Sequence, residues 1–298
     1  MLENYRSLED AIKGCFGEDI RIKSDPRIFH GGISSTALLD LSNGMRVFLK
    51  MNSIKNIAFF DAEEEGLDAI ASVNAIGTPR LYCKGTDAKK NISFLMMEPV
   101  ERGILKSDTW TVMGHEYADM HLADASSFVS GGMFGFMHDN FIGATKQINT
   151  PMDSWIGFFR ECRLVPQLKM AEHAMSSADI QASIRLCDRL DDLLEEPDHP
   201  SLLHGDMWGG NHLVGRDGRA VLIDPAAYVG HAEADIAMTE MFSPMPRDFY
   251  RGYYEKMPEN EGYGDRKDLY NLYHYLNHFN LFGGGYLSSA MHIIRHYV

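Results

Sequence analysis

Asp206, Asn211 and Asp224 lie in the stretch "LLHGDMWGGNHLVGRDGRAVLIDPAAYVG", Leu202 to Gly230, among glycines, a tryptophan and two histidines. Carboxylate and amide oxygens can hold a hard cation, and a carboxylate can take or orient a hydroxyl proton. Phosphoryl transfer to an alcohol asks both of a protein. Two other readings compete. His204, Asp206 and His212 have the chemistry of a zinc site, and the whole stretch could be a hairpin whose Asp, Asn and Gly only supply turns. The zinc reading lacks a supporting ligand cluster. "GHEYADMH" brings His115 and Glu116 near His121, but not at the HExxH spacing that sets two histidines on one helical face.

The spacing favours phosphoryl transfer. Asn211 follows Asp206 by five residues, and Asp224 follows Asn211 by thirteen, beyond a short hairpin between "HLVG" and "RAVLID". A protein-kinase catalytic loop has the same order: the catalytic Asp, an Asn five on, and a metal-binding Asp after the next hairpin strand. On this reading Asp206 is the base, and Asn211 and Asp224 hold Mg²⁺. The reading then demands a strand lysine for the nucleotide phosphates and a helix glutamate to orient it. Lys50, at the end of "RVFLK", is the candidate lysine. Glu63 is the candidate partner, because it shares a helical face with Phe59, Leu67 and Ile70. Glu64 and Glu65 are expected on the solvated side.

The loop "HGGISST", His30 to Thr36, falls where nucleotide phosphates would lie. Gly31 and Gly32 allow close backbone approach, and Ser34 and Ser35 add hydroxyl donors. It is not a GxGxxG, and a plain tight turn is an equal reading. "FLMMEPV" ends the first half of the chain, and the backbone from Glu98 to Val100 is expected at the adenine edge. His-Gly-Asp replaces the His-Arg-Asp of protein kinases, so the arginine that reads an activation-loop phosphate is missing. Too few residues separate Asp224 from "EADIAM" for a regulatory loop. Both features favour a small-molecule kinase over a switched protein kinase.

The elements that must position these residues divide the chain in two. "MLENYRSLEDAIKGCFG" reads as an amphipathic helix, and the next stretch as strands turning at Gly31–Gly32 and at "SNG", Ser42 to Gly44. "AFFDAEEEGLDAIASVNA" is helical; "IGTPRLYCKG" and "ISFLMMEPV" return to strand. From Arg102 on, "TWTVMGHEYADMHLADAS", "SWIGFFRECRLVPQLKMAEHAM", "DIQASIRLCDRLDDLLEE" and "HAEADIAMTEMF" are amphipathic helix candidates. The expected class is α+β and bilobal. It has an N-terminal nucleotide lobe over 1–98, a linker over 99–103 and a mostly helical catalytic and substrate lobe over 104–298.

Composition bounds the partners. The chain has 298 residues, 45% hydrophobic and 23% charged, with a formal net charge of −14. That balance argues against nucleic acid, whose phosphates need clustered Lys and Arg, and against anionic membranes. No apolar run is long enough to span a bilayer. The four cysteines have no metal spacing and read as free thiols in a reducing cytosol. A cytoplasmic protein, monomeric or weakly dimeric, is expected.

With these residues placed, the sequence resembles the fructosamine kinase (ketosamine kinase) family of the aminoglycoside-phosphotransferase-like group. "LLHGDMWGGN" is similar to the family's HGDLWSGN block, and "LIDPAAYVGHAEADIAMTEMF" to its IDP…READLAMTELF block. "FGFMHDNFIGATKQIN", "FFRECRLVPQL" and "LNHFNLFGGGY" also look like family blocks, so the likeness runs from Phe29 to Tyr286. The resemblance implies a protein-kinase-like fold and ATP- and Mg²⁺-dependent phosphorylation of the 3-hydroxyl of fructosamines or ribulosamines. The resulting phosphate ester destabilises the adduct and frees the amine, a deglycation reaction serving repair. It implies the base role for Asp206, Mg²⁺ roles for Asn211 and Asp224, and a phosphate clamp of Lys50 with Glu63. Trp208 is a candidate sugar platform or a buried core residue. Asp139 and Asn140 are candidate substrate contacts or turn caps. His204 and Asp235 are expected to brace the loop. The sequence departs from the family in two places: the glycine loop has no cysteine, and Gly209 replaces the block's serine. A same-fold kinase of aminoglycosides, choline or homoserine is the alternative. A nucleotide-binding pseudokinase is a third reading, disfavoured by the intact set of five polar residues.

Overall fold

The computed structural model describes residues 2–298. Its first half is a sheet of β1 (Asn4–Tyr5), β2 (Ile28–His30), β3 (Ser35–Asp40), β4 (Arg46–Ser53), β5 (Leu81–Asp87) and β6 (Ile92–Met97), with helices α1 (Leu8–Phe16) and α2 (Ile57–Ser72). The strand order is β1-β5-β6-β4-β3-β2, antiparallel except for β1 beside β5. Alternation along β4 decides which side chains see the cleft. Val47 and Leu49 face α1 and pack with Leu8, Ile12 and Phe94. Phe48 and Lys50 therefore face the other way, toward α2 and the second lobe.

The expected N-terminal helix starts later than its sequence suggests. Ser7 caps it by accepting the Asp10 N–H at 3.0 Å, and the residues before that cap extend to pair with Lys84 and Gly85. The turns at Gly31 and Gly44 form as expected, closed by Gly31 N–H to Ser34 O and Gly44 N–H to Leu41 O.

The second half holds α3 (Thr109–Leu122), β7 (Asn140–Ile142), β8 (Thr145–Gln147), α4 (Trp155–Phe158), α5 (Val165–Ala171), α6 (Ser177–Asp188) and α7 (Leu190–Leu193). β9 (Ser201–Leu203), β10 (His212–Val214), β11 (Ala220–Leu222), β12 (Tyr228–Gly230), α8 (Ala232–Met241), α9 (Arg247–Lys256), α10 (Tyr263–Phe282) and α11 (Tyr286–His296) follow. The run expected as one helix from Ser154 widens to a π-helix over Phe159–Leu164. Pro166 cannot donate to the Cys162 carbonyl, and the Arg163 guanidinium bonds that carbonyl instead. One large core built on Trp155, Tyr117, Tyr270 and the apolar faces of α3, α8 and α10 unites this half.

The motif stretch folds as strand, loop, hairpin and strand. β9 pairs antiparallel with β12, while β10 and β11 form the hairpin between them. One backbone link ties this unit to the first lobe, Leu222 N–H to Gly77 O at 2.8 Å, and another ties it to the linker, Gly103 N–H to Val214 O at 2.9 Å. The two-lobed α+β arrangement expected from the sequence is the one observed.

Candidate active site

Asp206 sits on a loop held from beneath. Asp235, on α8 and buried, accepts the N–H groups of His204 at 2.6 Å and Gly205 at 2.8 Å, and the Tyr117 hydroxyl at 2.7 Å. His204 is buried as well. Its Nε2 donates to the Ile223 carbonyl at 3.0 Å, and its Nδ1 accepts the Asp206 N–H at 3.3 Å. That pattern needs a neutral ring, and burial does hold the His204 pKa below its usual value. Gly205 explains the missing arginine of the loop. Its φ is +79°, and a Cβ there would lie 2.1 Å from the Ala226 carbonyl oxygen, so no side chain fits.

Asn211 closes the loop: its Nδ2 donates to the Asp206 carbonyl at 2.8 Å and to the Asp206 carboxylate at 3.0 Å. Among the described residues nothing donates to Asn211 Oδ1, which leaves it as a hard oxygen donor. Burial pushes the Asp206 carboxyl up to about 8; the Asn211 hydrogen bond opposes this, and the charges of Asp224 and Asp235 add to it. A carboxylate poised near neutral pH is suited to general-base work.

Lys50 bridges the lobes. Its Nζ lies 2.5 Å from Glu63 Oε1 on α2, and it also bonds Asp224 Oδ1 from the bend just beyond β11. Burial alone would lower the lysine pKa, but the two carboxylates outweigh it and the pKa is raised. Asp224 adopts a left-handed backbone, φ +56°, which aspartate tolerates better than most residues. Gly66 lets α2 approach this segment, since a Cβ there would touch Pro225 at 3.0 Å. Glu64 is not solvated as expected. It is buried against Lys84 of β5, 2.6 Å away, because the sheet runs beside a second face of α2. Glu65, also expected in solvent, is partly covered and meets His138.

Two hollows meet at Lys50, Asp224 and Thr36. One, about 510 Å³, is walled by Ala37 and Phe48 of the first lobe and by Leu213 and Ile223 of the second, with Glu98 and Val100 at its edge. The Glu98 N–H is taken by the Arg80 carbonyl. Glu98 C=O and Val100 N–H are left without a backbone partner among the described residues. The other hollow, about 660 Å³, contains Asp206, Asn211, Glu63, Gly31, Gly32 and Ser34. Ser35 is not part of it; its hydroxyl bonds His30 Nδ1 at 2.9 Å.

Trp208 lines the larger hollow and is 40% exposed, so it is not a core tryptophan. Asp139 and Asn140 do not line it. Asp139 accepts the Asn149 N–H and pairs with Lys146, while the buried Asn140 donates to the Ala227 carbonyl and accepts from Gln147. Their neighbour Phe141 is the residue that faces the hollow. Phe242, Asn277, His278, Phe282 and Tyr286 also line it, and sequence reasoning did not single them out. His212 packs against Trp110 instead of joining His204, and no trio of His, Cys, Asp or Glu could hold a metal among the described residues.

The comparisons decide the family. The family model for fructosamine kinases matches residues 5–298. The chain belongs to the fructosamine kinase family. It is 38% identical over 98% of its length to a Synechocystis protein named as a probable ketoamine kinase, covering 96% of that protein. It is 39% identical over 90% of its length to a chloroplastic protein-ribulosamine 3-kinase of Oryza sativa subsp. indica, covering 77% of it. Among solved structures, a candidate fructosamine-3-kinase of Haemophilus somnus 129PT superposes with a TM-score of 0.87 at 27% identity, over 98% of this chain and 97% of that one. The fold is the bilobal, kinase-like one of this family. No helix among the described residues is long and apolar enough to cross a membrane.

Proposed function

We propose that this fructosamine kinase family member transfers the γ-phosphoryl group of ATP to the 3-hydroxyl of ketosamines, fructosamines or ribulosamines, and so initiates deglycation. The observation that carries the reading is the meeting of two hollows at Lys50 and Asp224, with Asp206 in the second. Such a layout sets a nucleotide on one side of a phosphoryl group and an acceptor hydroxyl on the other. The apolar hollow suits adenine, with Glu98 C=O accepting from its amino group and Val100 N–H donating to its ring. Lys50, oriented by Glu63, holds the phosphates under the backbone of Gly31, Gly32 and Ser34.

Asn211 Oδ1 and the Asp224 carboxylate form a two-oxygen donor set, which fits Mg²⁺ shared with phosphate oxygens better than a full protein cage. Bound there with ATP, the ion would neutralise charge on the transferred phosphoryl group. Asp206 accepts the proton of the attacking hydroxyl, while Asn211 and the Asp235-braced backbone keep its carboxylate aimed. Trp208 offers the acceptor sugar an exposed ring. Four unpaired cysteines accord with a cytoplasmic setting.

The test is coupled ADP release with fructosamines, ribulosamines, aminoglycosides and choline as acceptors. Turnover of ketosamines well above the others supports the reading; activity confined to another alcohol overturns it.

A further inference from the structure

Of the described residues lining the larger hollow, only Lys50, Glu63, Asp206 and Asp224 carry formal charge. Away from them one part of the wall is an aromatic cluster built around one imidazole. The His278 ring centroid lies 4.8 Å from that of Phe242, 5.8 Å from Phe282 and 5.2 Å from Tyr286. Three separate segments supply these rings: the residue just after α8, the last two turns of α10 and the start of α11.

His278 is oriented and its tautomer is set. Nδ1 lies 2.8 Å from the His274 carbonyl, which can only accept, so Nδ1 holds the proton. Burial keeps the imidazole pKa below its ordinary value, so the ring is neutral near pH 7. Nε2 is then a lone-pair acceptor, and among the described residues no protein group donates to it. An acceptor on an imidazole that packs among three aromatic rings matches a cationic N–H donor: the nitrogen gives its hydrogen to Nε2, and nearby aromatic rings can stabilise its charge. A sugar could use the lone pair through a hydroxyl and stack on a ring, as at Trp208, but the attraction between a full positive charge and the ring quadrupoles is open to a cation alone.

We propose that His278, Phe242, Phe282 and Tyr286 form the subsite for the substituted ammonium of the acceptor substrate. This rests on the ketosamine reading above and adds which end of the ketosamine lies where. The polyol extends toward Asp206 and the secondary ammonium docks on His278 Nε2. The amine's substituent leaves past Phe282, which is 66% exposed. Gly283, Gly284 and Gly285 follow it, with nothing within 4 Å of a Cβ at any of them, so the exit is wide. A chain with a net charge of −14 favours approach of such a cation.

Calorimetric binding of 1-butylamino-1-deoxyfructose and of its uncharged 1-butoxy counterpart, both with ADP present, tests this. Wild type is expected to bind the amine about tenfold more tightly. His278→Leu should bring the two ligands to similar affinity, and His278→Gln, which keeps an acceptor, should retain most of the preference. Phe282→Leu, at an exposed position, should weaken the amine alone by about threefold. ADP affinity reports whether each variant is folded. Equal wild-type affinities, a preference that survives His278→Leu, or equal losses for both ligands in Phe282→Leu would overturn the subsite. Selective amine binding without any phosphate transfer would contradict the kinase reading and leave the subsite standing. Phosphorylation of both compounds with equal affinity would do the reverse.

Discussion

Asp235→Asn puts the loop architecture to a quantitative test. The native carboxylate uses both oxygens: Oδ1 accepts from Gly205 N–H, and Oδ2 accepts from His204 N–H, the Tyr117 hydroxyl and His121 Nε2. Burial alone would raise its pKa, but His121, His204 and Tyr117 outweigh that and the carboxyl is held below its usual range. Asparagine keeps the shape yet turns one acceptor into an NH₂ group that faces a backbone N–H. At least one loop N–H is then orphaned in a dry site, and the remaining bonds lose their charge assistance. At about 1–3 kcal/mol for a buried unpaired group plus the weakened bonds, the total is about 3–5 kcal/mol. The loop carries Asp206, and a displacement near 1 Å costs roughly 10²-fold in kcat. Urea unfolding and coupled ADP release on the same preparation measure both effects. A loss under about 1 kcal/mol with kcat nearly unchanged would refute the idea that Asp235 holds the catalytic loop.

Three further outcomes are expected. Lys50→Met should lower kcat/KM for ATP by about 10²–10³ while ketosamine affinity is kept, read by initial rates and calorimetry; an unchanged rate contradicts the phosphate clamp. Gly205→Ala forces a Cβ against the Ala226 carbonyl at φ +79° and should destabilise by about 2–4 kcal/mol in urea unfolding. A neutral substitution there would mean the loop can repack. Burial lowers the pKa of His274 to about 3, against an ordinary value near 6.5. Above pH 6.5 neither state is protonated. As pH falls toward 3 the unfolded chain takes up a proton that the native ring refuses, so stability is lost. Asp206, raised to about 8, acts in the opposite sense, so the measurement is the difference between wild type and His274→Gln. From pH 7 to 5 the wild type should lose about 2 kcal/mol more than the variant, and parallel curves would contradict the buried neutral ring.

The layout of the candidate site was legible because it depends on spacing that the chain carries locally. Five residues from Asp206 to Asn211 and a hairpin before Asp224 leave few geometries, and alternation along β4 places Lys50 opposite Val47 and Leu49. Other features needed tertiary context. Glu64 was expected in solvent on the assumption that α2 buries one face, yet β5 supplies Lys84 to a second. His278 and Phe282 have the i, i+4 spacing of any amphipathic helix, and only packing against Phe242 and Tyr286 turns that face toward the hollow. The late start of α1 did have a signal, since Ser7 followed by Asp10 is a capping pattern. Asp139 and Asn140 were plausible as polar neighbours of Phe141, but their side chains hold the loop at Asn149 and the Ala227 carbonyl.

The central claim is that Asp206 serves a ketosamine hydroxyl across from ATP held at Lys50. Phosphorus NMR of the product formed from Mg·ATP and a fructosamine, with wild type and Asp206→Asn side by side, tests it most directly. The account predicts a phosphate monoester on C3 from wild type. It predicts a rate lower by about 10²–10⁴ from the variant, with ADP affinity intact. Phosphate at another position, or an ester formed equally fast without the Asp206 carboxylate, would contradict it.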